Sequence, residues 1–303
     1  MLVTMKEILD RAVEGVYAVP APNVANSVEV DAAIMAAEEM MSPLILDVHF
    51  ENLRSKNPAP LQFARWMRDR AAASVVPVAI NQDHGNFNGA VRNIQAGVSS
   101  VMCDSSMKPL EENIADVRRT VEIAHMCYGP VCVEAELGHV GHTETYEEDI
   151  ANGLTNPEEA VRFIRESGCD FLAVSIGTSH GLYPKGLTPS LRFELFEEIK
   201  KRVYEEFGPF PLVLHGSSGT PNDQIYKICR MGINKVNIAS DLNQAALEYI
   251  LENHDKPNKG VGQMYRDGFR NKLLEMIPMY GSDGKAWIPD ITASCYFNTQ
   301  TDL

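Results

Sequence analysis

The sequence predicts an α/β protein built as a single-domain, closed (β/α)8 TIM barrel. Three observations predict it. Eight short apolar runs rich in β-formers alternate with longer segments of helical periodicity. No GxGxxG or GxxxxGK[ST] fingerprint is present, which weakens a dinucleotide-binding or P-loop reading. The polar residues that carry chemistry collect where the runs end, as they do at the mouth of a parallel barrel. A chain of 303 residues suits one such unit, since α/β barrels run to about 250 residues as one domain.

The opening MLVTMKEILDRAVEG interleaves Lys6, Glu7 and Asp10 with apolar positions, which predicts an amphipathic helix and not a signal peptide. The eight strand candidates are Tyr17 to Val24, Leu44 to His49, Val75 to Asp83, Ser99 to Asp104, Val131 to Leu137, Phe171 to Gly177, Leu212 to Gly216 and Lys235 to Ser240. Between them lie helix candidates such as Val28 to Met41, Leu110 to Cys127, Pro157 to Ser167, Arg192 to Phe207 and Asp223 to Met231. Glycines in CYGP, ESGCD and RMGINK mark helix stops. Pro20, Pro22 and Pro77 count against two of the strands, because a missing N–H is tolerated mainly at strand ends or bulges. After about Asp255 the chain is rich in Lys, Asn and Gly, with an amphipathic piece from Met264 to Met276. An irregular C-terminal tail is expected over about 278–303, packed on a partner subunit.

Composition narrows the function. With 27 Lys plus Arg against 41 Asp plus Glu, the formal net charge is -14, which argues against nucleic-acid or anionic-membrane partners. No window approaches the roughly 18 apolar residues of a membrane span. The six cysteines are scattered without a CxxC pair, so neither a zinc knuckle nor a disulfide framework is expected. Cys103, Cys132 and Cys169 sit in or beside apolar runs and read as buried thiols of a cytoplasmic protein.

The strand ends carry Asn23, Asp47, His49, Asp83, His84, Asp104, Glu134, Glu136, His215, Asn237 and Ser240, with His180 just beyond the sixth run. Taken singly, a histidine at a strand end is structural about as often as functional. Three of them, His84, His180 and His215, can converge on one point, and three imidazoles with an open fourth position form a catalytic zinc arrangement. Their separations carry no local metal signature. The turns holding Gly181, Gly216, Ser217, Ser218 and Gly219 suit an anion, or are plain turns.

At these residues the sequence resembles the class II, metal-dependent ketose-bisphosphate aldolases, which include the fructose- and tagatose-bisphosphate aldolases. The resemblance covers most of the chain. It rests on YAVPAPNV, the SPLIL run after AAEEMM, the DHG of Asp83 to Gly85, SSVMCDSS, VEAELGHVG, LAVSIGTSHGLY, LVLHGSSG and KVNIASDL, in order. It implies that His84, His180 and His215 hold one catalytic zinc ion. Asp83 matches the acid that exchanges a proton with the C4 oxygen, and Asp104 and Glu136 match the carboxylates around a second, divalent or monovalent, cation position. Glu144 in HVGHTETYEED lies where the family's loop glutamate moves the proton of the ketose phosphate. Gly181, Gly216, Ser218, Asn237 and Ser240 match positions that hold phosphate or the substrate backbone, and Asn23 is expected beside them.

The implied reaction is reversible cleavage of a phosphorylated ketose, or a related keto sugar acid, to dihydroxyacetone phosphate and an aldehyde through a metal-stabilised enediolate. The Glu144 loop is expected to close over substrate. A homodimer or homotetramer is expected. Departures from the family pattern fall on the substrate side. Asn81 stands where a histidine is common, Asp47 and His49 replace small or amide residues, and Ala239 replaces an aspartate found in fructose-bisphosphate aldolases. Pro184 stands where a lysine is common, with Lys185 adjacent as a substitute phosphate contact. His49 is read as a substrate contact ahead of a rim filler. His139 and His142 are read as solvated or loop-anchoring, and Arg266 and Arg270 as a solvated face that could otherwise reach a distal phosphate. Two other readings remain open: a metal-dependent hydrolase on the same barrel, and a non-catalytic barrel subunit.

Overall fold

The computed structural model describes residues 1–49, 60–127, 131–256 and 259–288. Eight parallel strands form the barrel: β1 (Val19–Pro22), β2 (Leu44–His49), β3 (Val78–Gly85), β4 (Ser100–Cys103), β5 (Cys132–Leu137), β6 (Phe171–Val174), β7 (Leu212–Leu214) and β8 (Ile233–Ile238). Six of the eight apolar runs contain their strands; β3 extends two residues beyond its run, to Gly85, and β8 begins two residues before its run, at Ile233. The third run starts late, at Val78, because Pro77 stands immediately before it.

The strand order is β1-β8-β7-β6-β5-β4-β3-β2. The seam between β1 and β2 explains how Pro20 and Pro22 are accommodated. Asn23 donates its N–H to Ile238 on β8, whereas Val24 donates to Asp47 on β2, at 2.8 Å each. Backbone groups alternate sides along a strand, so positions 20 and 22 face β2. Their missing donors fall on the one gap in the ladder, which is closed only at the top by the Asn23–Asp47 bridge.

The helices are α1 (Met5–Gly15), α2 (Ser27–Met40), α3 (Pro60–Ala72), α4 (Phe87–Ala96), α5 (Leu110–His125), α6 (Tyr146–Asn152), α7 (Pro157–Ser167), α8 (Phe193–Phe207), α9 (Asn222–Met231), α10 (Ser240–Asn253) and α11 (Val261–Tyr280). Of the expected glycine stops, Gly168 and Gly232 end α7 and α9 in left-handed conformation, while the CYGP turn lies outside the described residues. The irregular tail begins later than expected. Helix α11 runs through Pro278 to Tyr280, and residues 289–303 lie outside the described ones.

Two apolar clusters sit on the two faces of the barrel wall. The larger packs the outer face against the helices. The smaller fills the lower interior, where Met5, Ile8, Leu9 and Ala12 of α1 plug the barrel against Val19, Ile45, Ala79, Phe171 and Val213. Helix α1 starts at a capping box in which Thr4 and Glu7 satisfy each other's backbone N–H groups. Among the described cysteines, Cys103, Cys132, Cys169 and Cys229 are buried free thiols. Among the described residues no helix is long and apolar enough to cross a membrane.

Candidate active site

The inward-facing residues change character one pleat above the plug. Asp47 of β2, Asn81 of β3, Glu134 of β5 and Lys235 of β8 are each completely buried inside the barrel. Lys235 Nζ lies 2.9 Å from both Asp47 Oδ2 and Glu134 Oε2 and donates to Asn237 Oδ1 at 2.7 Å. Asn81 donates to Asp47 at 2.9 Å. One ammonium thus faces two carboxylates. Burial, with Asp83 and Glu134 nearby, outweighs Lys235 and holds the Asp47 carboxyl above the usual range, whereas Lys235 and His215 draw Glu134 below it despite burial.

The mouth lies one pleat higher. Asp83 and His84 are consecutive, and in a regular strand they would point to opposite faces. Both serve the mouth because the β3–β4 register shifts between Gln82 and Gly85 and His84 takes a positive φ of 37°, a strained conformation of the kind found at functional sites. Asp83 Oδ1 accepts from Asn237 at 3.0 Å and Oδ2 accepts from Asn23 at 2.7 Å. Burial opposes its ionisation, but His84, His215 and Lys235 hold it far below the usual carboxylate range.

His180 is set by its backbone, which donates to Gly141 O at 2.7 Å and accepts from Thr143 N at 3.0 Å. His215 directly follows β7 and is fully buried. The glycine after it, Gly216, has a φ of +63°, and a Cβ there would come within 2.7 Å of the Ser179 backbone. The close passage of these two turns therefore requires glycine.

Ligand-capable nitrogens of His84, His180 and His215 lie within 4.8 Å of one another. His84 Nδ1 is 2.9 Å from Asp104 Oδ2, and His215 Nε2 is 2.7 Å from Glu134 Oε1. Carboxylates in those places accept N–H and fix each tautomer. The inner nitrogens, His84 Nε2 and His215 Nδ1, are left 3.0 Å apart, close enough to share a proton or a cation, and buried His180 Nε2 has no partner among the described residues. Such a set calls for a shared cation, and it fits a divalent metal. Burial works against charge on His84, yet Asp83, Asp104 and Glu136 raise its pKa to about 10, so the carboxylates favour positive charge at this point. Burial and the other two imidazoles keep His180 neutral, its pKa well below the usual value. A second cluster joins His84, Asp104 and Glu136. Burial and Asp104 push Glu136 up to about 8.

Two cavities meet at Asn23, Asp83, His180 and Ala239. The smaller, of about 30 Å³, also touches Gly181, Gly216, Ser218, Asn237 and Ser240, so these expected residues come together. The larger, of about 640 Å³, is bordered by His49, His84 and Asp104, by His139 and His142, and at its far side by Glu29, Asn243 and Tyr265. His139 and His142, read as solvated or loop-anchoring, therefore form cavity wall. Glu144 is exposed in the 3-10 turn Thr143–Thr145 and lines neither cavity. Its turn is tied down, since Thr143 Oγ1 donates to Leu182 O at 3.3 Å. Lys185 is exposed and also lines neither cavity; the Pro184–Leu187 turn carries it into solvent. Arg270 instead pairs with Glu39 on α2, and Arg266 with Asp267.

A family model described as class II fructose-bisphosphate aldolase matches residues 3–285. The chain belongs to the class II fructose-bisphosphate aldolase family. Its members are lyases. The chain is 38% identical to YdjI of Escherichia coli (strain K12), over 89% of this chain and 94% of that one. It is 36% identical to the D-tagatose-1,6-bisphosphate aldolase subunit GatY of Klebsiella oxytoca, over 94% and 99%. The crystal structure of the E. coli K12 YdjI aldolase superposes with a TM-score of 0.82 at 33% identity, covering 95% of this chain and 100% of that one. The aldolase fold and the histidine cluster thus coincide in one barrel.

Sequence reasoning missed Lys235, the centre of the buried network. Its signal is the period of two along INKVNI, which places Ile233, Lys235 and Asn237 on one face of β8. Glu29, Asn243 and Tyr265 were missed because they come from three helices.

Proposed function

We propose that the protein is a zinc-dependent aldolase that reversibly cleaves a phosphorylated ketose to dihydroxyacetone phosphate and an aldehyde, with Asp83 and Glu144 moving the protons. The observation that carries this reading is the convergence of three imidazoles beside a carboxylate held by two amides. His84, His180 and His215 would hold the zinc ion, which supplies Lewis-acid stabilisation of the negative charge that develops beside the carbonyl. Asp104 and Glu136 would hold a second cation.

In the cleavage direction Asp83 takes the C4 hydroxyl proton as the C3–C4 bond breaks, and the bonding electron pair stays on C3. Asn23 and Asn237, one on each carboxylate oxygen, keep Asp83 aimed. Glu144 then returns a proton to C3. Because it is exposed and lines neither cavity, it has to turn inward with its loop, giving up the hydrogen bond of Thr143 to Leu182, a closure that also excludes water. The phosphate of the ketone half sits in the smaller cavity among Gly181, Gly216, Ser218 and Ser240. The hydrolase reading lacks a comparable support, since family membership favours C–C cleavage. We place the protein in the cytoplasm as a homodimer or homotetramer; Leu247 and Leu251, one turn apart on α10, are exposed and suit a subunit contact.

Replacement His180→Ala is expected to abolish zinc retention and C–C lyase activity together. Glu144→Ala is expected to keep zinc and lose solvent hydrogen exchange into dihydroxyacetone phosphate. Full activity in the first variant, or full exchange in the second, would refute the assignment concerned.

A further inference from the structure

The two ends of the site present opposite chemistry, and this inference rests on the aldolase reading above. Beyond the Asn23, Asp83, His180 and Ala239 that it shares with the larger cavity, the smaller one is lined by Gly181, Gly216, Asn237 and the hydroxyls of Ser217, Ser218 and Ser240. At the far wall of the larger one, the residues that reach the cavity are Asn26 and Glu29 of the α2 start, Asn243 of α10 and Tyr265 of α11. Glu29 is only 7% exposed and is held in place: its Oε2 accepts from the Ala25 N–H at 2.6 Å. The Tyr265 hydroxyl lies 3.2 Å from Glu29 Oε1 and 2.6 Å from Asn243 Oδ1. That hydroxyl has one proton for two acceptors, so the wall retains unused acceptor capacity.

A terminal phosphate brings negative charge and only acceptors to a carboxylate, whereas sugar hydroxyls bring donors. Tyr265 shares helix α11 with Arg266 and Arg270, yet both arginines turn to other partners. Among the described residues no Lys or Arg lines either cavity. Ala239 lines both cavities, so at this point of their junction a methyl group stands and leaves room for the substrate chain.

We propose that Glu29, Tyr265 and Asn243 read the hydroxyls of an unphosphorylated polyol aldehyde, making the substrate a ketose with one phosphate, held in the smaller cavity. The specificity then depends on charge as well as shape, since like charges facing each other exclude the wrong partner.

The test is the aldol direction with the zinc-loaded enzyme, dihydroxyacetone phosphate and two matched acceptors, glyceraldehyde and glyceraldehyde 3-phosphate. The expected result is a kcat/KM for glyceraldehyde higher by about tenfold or more, given the cost of juxtaposed like charges. Glu29→Gln, which keeps an acceptor for the Ala25 N–H, and independently Tyr265→Phe, should each reduce that ratio. Preference for the phosphorylated aldehyde, or an unchanged ratio in both variants, would overturn the proposal. Solvent exchange into dihydroxyacetone phosphate separates the two levels. Exchange with a reversed preference defeats the charge reading alone, whereas no exchange and no product with either aldehyde defeats the aldolase reading and this inference with it.

Discussion

The lower and upper halves of the barrel interior use the same strands for opposite purposes. Below, Ile45, Ala79, Phe171 and Val213 pack against the α1 plug. Above, Asp47, Asn81, His215 and Lys235 are equally buried yet polar, joined by hydrogen bonds and ion pairs. The steps are two residues long: Ile45 to Asp47, Ala79 to Asn81, Val213 to His215. The lower half stabilises by removing apolar area from water. The upper half gains little net stability from its charges and holds the reacting groups in one geometry. Lys235 connects both functional branches, through Glu134 to His215 and through Asn237 to Asp83.

The largest effect is expected from breaking the upper half at its centre. Lys235→Met leaves the ionised Glu134 buried without its cation and Asp47 without its ammonium donor, and should destabilise the fold by about 3–5 kcal/mol. Urea titration should show this loss. Neutralising the carboxylates as well, with Asp47→Asn and Glu134→Gln, should restore most of the stability while activity stays low. If activity returned too, Lys235 would have no positioning role.

Phe171→Ala tests the lower half and should cost about 3–5 kcal/mol by leaving a cavity under the network. Here the two measurements should separate: a lower denaturation midpoint, with kcat of the folded protein unchanged. A large fall in kcat would show that the plug region also tunes the mouth.

The last comparison concerns pH. Asp47 has its pKa raised from 3.8 to about 8, so the folded state holds this proton more tightly than the unfolded chain. Its contribution to stability is fully present below the unfolded value and is lost as pH rises through the folded one. Asp47→Asn cannot lose a proton, so its stability relative to the natural chain should improve between about pH 5 and pH 8. Equal differences at both pH values would mean that Lys235 keeps Asp47 ionised throughout.

Much of this architecture was legible without coordinates. Alternation of apolar runs and amphipathic segments is a local property, so all eight strands and the opening helix could be read from periodicity. His84, His180, His215, Asp83 and Asp104 were legible because a parallel barrel brings its strand ends together whatever their separation in the chain. Tertiary structure alone decided what depends on several elements at once. The register shift at β3 turns Asp83 and His84 to the same side, and the β1–β2 seam accommodates Pro20 and Pro22. Lys235 meets two carboxylates only after closure, and Glu29, Asn243 and Tyr265 reach one cavity from three helices. Sequence sets which side chains are available along each element; the through-space pairing that sets their charge and aim comes from residues as much as 236 positions apart, as Tyr265 and Glu29 are.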